Sequence, residues 1–187
     1  MKKEILDRYG RTGDGRIIID ITADKVEYLF NNFDKRSPFI KKELDPDLVD
    51  YLIDSLREIG NEKFVIYIHL KKKPAKVARE RINSGIQNYF SYLEKLEYRE
   101  LGSMARTSLI LLIIGGIALY FSIWLGMKNQ VRMEILPRMI TEGLTVASWV
   151  SLWEALATFM INWTPHSRMI KICRRISAAS VEFRTLR

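Results

Sequence analysis

The chain has 187 residues, a formal charge of +8 and a mean hydropathy of −0.07. One cysteine, Cys173, and two histidines, His69 and His166, exclude an internal disulfide and leave no metal centre or cofactor to expect. The length holds one soluble domain of about 100 residues plus a pair of spans, and the near-zero hydropathy averages a charged first half with an apolar second.

Residues 1–15 mix charges with Gly10, Gly13 and Gly15 and are expected to be flexible. No apolar run follows Lys2 and Lys3, so no cleavable signal is expected and the first span would act as its own insertion signal. Arg16–Ile21 (RIIIDI) predicts a short strand buried on both faces. Val26, Leu29, Phe30 and Phe33 predict a helix over Asp24–Asp34, ended at Arg36–Phe39. The next helix is fully punctuated, with Asp45 as N-cap, Pro46 at the first position and Gly60 at the far end. Its apolar stripe is Leu48, Leu52, Ile53, Leu56 and Ile59. Lys63–Leu70 then alternates as a strand.

A strand, two helices and a strand form a crossover unit with parallel strands. Two strands leave both outer edges unpaired. Either a further strand or a covering element completes the sheet, or a second chain does, which makes a homo-oligomer or a cytoplasmic protein the expected partner. A basic turn, Lys71–Lys76, precedes a long helix over 75–104 whose apolar positions Ile82, Ile86, Tyr89, Leu93 and Leu96 are expected to pack on the sheet. No nucleic-acid motif accompanies the turn, and anionic lipid headgroups are its simpler partner.

Thr107–Met127 carries no charge and is long enough to cross a bilayer core of about 30 Å. Gly143–Trp163 has the same length, with Glu154 near its middle. The loop 128–142 is short, so the spans are read as an antiparallel hairpin. Ser108, Gly115 and Ser122 recur every seven residues on the first span, and Ser148, Ala155 and Asn162 on the second. Small residues at that period let two helices approach closely. Lys95, Arg99, Arg106, Arg168, Lys171, Arg174 and Arg175 flank the outer ends, against Lys128, Arg132 and Arg138 in the loop, which predicts both termini in the cytoplasm.

Glu154 is the one chemically unusual residue. A mid-span acid costs roughly 2.5–3.5 kcal/mol on insertion scales. In one reading it is protonated and hydrogen-bonds Ser151, Thr158 or a carbonyl near Gly115 and Gly116, holding the hairpin together. In the other, copies from several protomers line a wet path for a cation. Glu142 is expected to face headgroups and His166 to be a surface residue. Beyond Pro165, residues 164–187 alternate Met169, Ile170, Ile172, Cys173 and Ile176 with Arg168, Lys171, Arg174 and Arg175, the pattern of an interfacial amphipathic helix. Cys173 is read there as a small apolar residue.

The stretches Val26–Gly60, Ile82–Glu94 (INSGIQNYFSYLE) and Glu142–Arg168 (EGLTVASWVSLWEALATFMINWTPHSR) together resemble a family of small, uncharacterised prokaryotic membrane proteins. The resemblance covers about residues 16–187 in matching order. It implies a cytoplasmic N-terminal domain followed by two transmembrane helices, and it transfers no catalytic residue. The expected architecture is α+β with a membrane hairpin: a βααβ-type domain and joining helix (16–104), spans 107–127 and 143–163, and the tail 164–187. The expected function is a non-enzymatic anchor or oligomeric scaffold, with an oligomeric ion or proton conductor built on Glu154 as the alternative. No Gly-rich phosphate loop, metal spacing or triad points to an enzyme.

Overall fold

A computed structural model describes residues 6–31, 43–72, 74–128 and 135–185. The expected end of the second element at Arg36–Phe39 lies outside them. The chain is mostly helical with one small sheet. Its elements are β1 (Ile17–Ala23), a 3-10 turn (Val26–Leu29), α1 (Pro46–Ile59), β2 (Phe64–Leu70), α2 (Lys76–Lys128), α3 (Ile135–Ser177) and β3 (Val181–Thr185). Two compact units result: Met1–Leu96 with Met169–Arg187, and Glu97–Arg168.

In the first unit the sheet has three strands in the order β1-β2-β3, every neighbour parallel. The expected two-stranded sheet is therefore completed from the far end of the chain. Ile17, Ile19 and Ile21 lie beside Phe64, Ile66 and Ile68, and Ile66 and Ile68 lie beside Val181 and Phe183. One face of this sheet builds the core with Leu52, Leu56 and Ile59 of α1, Ile82, Ile86 and Phe90 of α2, and Cys173 and Ile176 of α3. Each large apolar side chain removed from water in this way contributes roughly 1.5–3 kcal/mol.

The tail is the main correction. Residues 164–177 continue α3 through Pro165, which lacks the N–H for an internal helix bond. Cys173 and Ile176 are fully buried in the core, and Met169 and Ile172 pack against it. The apolar stripe read as lipid-facing is the stripe by which α3 meets protein; amphipathic periodicity reports a face and not its partner. The arginines on the other face are used too. Arg174 Nε and Nη2 donate to Glu94 Oε1 at 3.0 and 2.9 Å. Arg175 donates to the carbonyls of Gly60 and Glu62 and lies over the Phe64 ring, 5.2 Å from its centroid.

The described part of the N-terminus is also folded. Arg11 bridges Ile17, the Ile18 N–H donates to Gly10 O at 2.9 Å, and a turn closes through Gly15 at φ 83°, a left-handed conformation that suits glycine. Among the described residues, the helix expected over 24–34 is one 3-10 turn, Val26–Leu29, because Phe30 and Leu44 instead form a bridge. The helix α1 matches its sequence punctuation: Asp45 accepts from the Asp47 N–H at 3.0 Å, Pro46 opens it, and Gly60 ends it at φ 63°.

The second unit holds the apolar parts of α2 and α3. The joining helix and first span form the single helix α2, and α3 begins at Ile135, inside the stretch read as loop.

Candidate functional site

Within the second unit the two helices meet along small residues. Ser108, Gly115 and Ser122 of α2 are buried, as are Ser148 and Ala155 of α3. The side chain of Asn162 lies outside the described residues. A methyl group on Gly115 would sit 3.0 Å from Leu152 Cγ and 3.1 Å from Ser151 Cβ, so the helices touch where glycine leaves room. Gly116 faces open space. Ser122 Oγ donates to Thr141 O at 2.9 Å and lies 2.5 Å from Thr145 Oγ1, which itself donates to Thr141 O. Ser148 Oγ caps Leu144 O at 2.6 Å. These hydroxyls are satisfied without water, as an apolar surrounding requires. Ser108 Oγ is buried with no hydrogen-bond partner among the described residues.

Glu154 is not part of this seam. Its side chain is exposed on the outside of the pair, beside Trp153 and Val150, which are 71% and 63% exposed. The expected bonds to Ser151 and Thr158 do not form. The Ser151 hydroxyl instead donates to Ala147 O at 2.9 Å, and Thr158 is half-buried. The reason is angular: the seam residues Ser148 and Ala155 repeat at seven, and Glu154 precedes Ala155 by one residue, about 100° around the helix.

The residues flanking the apolar segments carry two contacts, one of which sequence spacing does not reveal. His166 Nδ1 lies 2.6 Å from Glu97 Oε2, each side chain about one quarter exposed, correcting the reading of His166 as a surface residue. Glu142 pairs with Arg138 at 2.9 Å across one helical turn. Glu97 and His166 are far apart in the chain, so only helix pairing brings them together.

In the first unit, the sheet face opposite the core carries Val65 and Tyr67, both buried, beside polar residues. His69 Nε2 lies 2.9 Å from Asp20 Oδ1, Lys71 pairs with Asp24 at 2.9 Å, and the Arg184 guanidinium stacks 3.7 Å from the Tyr67 ring centroid. A cavity of about 330 Å³ lies between the N-terminal segment, β1 and α1, with Tyr9, Asp20, Tyr51, Asp54 and Glu58 among its lining residues. Tyr9 donates to Glu58 at 2.7 Å; burial first, and then the Glu58 carboxylate, push its phenol above the ordinary range. No group of side chains suited to holding a metal ion occurs among the described residues.

No protein-family model, curated protein or solved structure matches the chain.

Proposed function

We propose that this is a two-span membrane protein whose water-facing unit works by association and not by turnover. The observation that carries the reading is the exposure of its apolar helices. Both are long and apolar enough to cross a membrane, yet only 11% of the apolar stretch of each is buried. The core helix of a soluble protein hides such a surface. Here Leu109, Ile113, Ile117, Trp153 and Met160 stand exposed, and hydrocarbon is the solvent that removes the cost of leaving them so.

A hairpin returns to the side from which it entered. The first unit joins the chain on both sides of the hairpin, Met1–Leu96 and Met169–Arg187, which supports both termini on one side of the membrane. The cation excess at the outer ends of the helices makes that side cytoplasmic. The test is alkaline carbonate extraction of membranes containing the full chain, with tags at both ends probed by protease in sealed vesicles. Retention in the membrane and same-side tags are expected. Release into the supernatant, or tags on opposite sides, would overturn the reading.

The outward position of Glu154 favours one second reading, an oligomeric ion or proton conductor in which the carboxyls of several copies meet. Liposome flux through wild type and Glu154→Gln decides it. Equal flux in both, or none in either, would sink it.

A further inference from the structure

The sheet protects its two edges unequally. In β1, Ile17 donates to Lys63 O at 2.8 Å, so Ile17, Ile19 and Ile21 turn their peptide groups to β2 and the residues between them turn outward. Two of those outward groups have partners. The Ile18 N–H bonds Gly10 O at 2.9 Å, and Asp20 O accepts from the Tyr51 hydroxyl at 3.0 Å.

Among the described residues, the other edge has no such backbone partners. The Ile66 N–H donates to Ser180 O at 3.1 Å, opposite Val181 in the parallel register. Ser180, Glu182 and Arg184 therefore bond inward to β2, and Val181, Phe183 and Thr185 aim their N–H and C=O groups away from the sheet. No strand pairs with that side among the described residues. Alongside lies a cavity of about 400 Å³ lined by Arg79, Glu80, Asn83, Val181, Glu182 and Phe183. Arg79 Nε and Asn83 Oδ1 are buried, with no hydrogen-bond partner among the described residues. A donor and an acceptor thus go unused beside an open strand edge, which is an arrangement that a further strand completes.

The geometry points to a second copy of this chain, docked by antiparallel pairing of β3 with its counterpart about Phe183, so that the two sheets become one. The sequence Val181-Glu182-Phe183-Arg184-Thr185 is complementary to itself in this register. Phe183 faces its own copy, and Val181 faces Thr185. Glu182 faces Arg184, twice over, in the closely spaced non-hydrogen-bonded pairs where side-chain charge acts most strongly. The outward peptide groups permit two neighbouring registers, centred on Glu182 or on Arg184. Each sets like charges directly opposite, so charge selects the register centred on Phe183. There the incoming Thr185 hydroxyl, which both donates and accepts, arrives on the side of Val181 that lines the cavity. The contact is isologous, and it closes as a dimer.

This inference rests on the association reading above and is independent of whether the helices cross a bilayer. Its test uses the full-length protein in mild detergent and in liposomes, with mass measured across a concentration series. Wild type is expected to dimerise. Glu182→Arg, which sets two arginines opposite each other, is expected to weaken the dimer about tenfold or more, and adding Arg184→Glu to it is expected to restore it. Independently, a mixture of Glu182→Cys and Arg184→Cys chains should form a disulfide that neither chain forms alone.

A monomeric wild type with no crosslink in the mixture would overturn both this inference and the association reading. A dimer indifferent to the charge reversal, with no mixed disulfide, would overturn the β3 interface and move association to another surface. A disulfide between two Glu182→Cys chains would overturn the register. Carbonate extraction reads the membrane assignment separately, so its failure is distinguishable from each of these.

Discussion

Glu97 and His166 stand 2.6 Å apart, one on α2 and the other on α3 one residue beyond Pro165. Both side chains are about three-quarters buried, so the contact is screened less than a surface pair. It fastens the two helices where the apolar segment of α3 gives way to charged residues.

Removing either partner should loosen that end of the pair. His166→Ala and Glu97→Ala are each expected to lower stability by about 1 kcal/mol, read by thermal unfolding in detergent. The double mutant should cost less than the sum of the singles. Strict additivity would show that the residues do not interact.

Gly115 and Gly116 offer a comparison between neighbours of identical chemistry. Gly115→Val drives a side chain into Leu152 and Ser151, whereas Gly116→Val meets open space. The first is expected to destabilise by roughly 1–3 kcal/mol, and the second to change stability by less. Equal melting temperatures for the two variants would contradict the close approach.

Ile176 tests whether the C-terminal part of α3 belongs to the core or to a membrane surface. It is fully buried with Cys173 against the sheet. Ile176→Ala should cost about 2–5 kcal/mol by denaturant unfolding, whatever the lipid composition. A variant that unfolds like wild type yet binds anionic vesicles less well would restore the interfacial helix.

Arg175 caps the carbonyls of Gly60 and Glu62, where α1 ends and β2 approaches. Arg175→Ala leaves those acceptors without their charged donor and is expected to cost about 1.5–3 kcal/mol. Arg168→Ala, on an exposed residue of the same helix, serves as control. A similar loss in both would mean that charge near the membrane matters and the carbonyl contacts do not.

Alkaline pH should weaken the first unit. Burial and Glu58 raise the Tyr9 phenol above its ordinary value of 10.0, and burial followed by Glu43 does the same for Tyr89. The folded chain holds these protons more tightly than the unfolded chain. Their stabilising contribution is therefore complete below about pH 10 and is lost as pH rises through the folded values. Denaturation midpoints should fall above pH 10, and less steeply in Tyr9→Phe. An unchanged slope would assign the loss to other groups.

The sequence by itself determined what depends on neighbours in the chain. The α1 boundaries follow from Asp45, Pro46 and Gly60, because caps act within one turn. The strands read over Arg16–Ile21 and Lys63–Leu70 follow from apolar content, and the two long apolar helices from the uncharged length of the first run and the near-uncharged length of the second. The seam positions Ser108, Gly115, Ser122, Ser148 and Ala155 share a period that any reader of the chain can count. Tertiary structure decided the partners. Val181–Thr185 is too short and mixed to announce a strand, and it becomes one because β2 offers an edge. The stripe through Ile170, Cys173 and Ile176 suits lipid or protein equally until the sheet is in place. The pairing of Glu97 with His166 spans a long stretch of chain, and the outward turn of Glu154 depends on which face of α3 meets α2. Periodicity marks the faces of each helix, but only packing, through the mutual exclusion of water, assigns each face its partner.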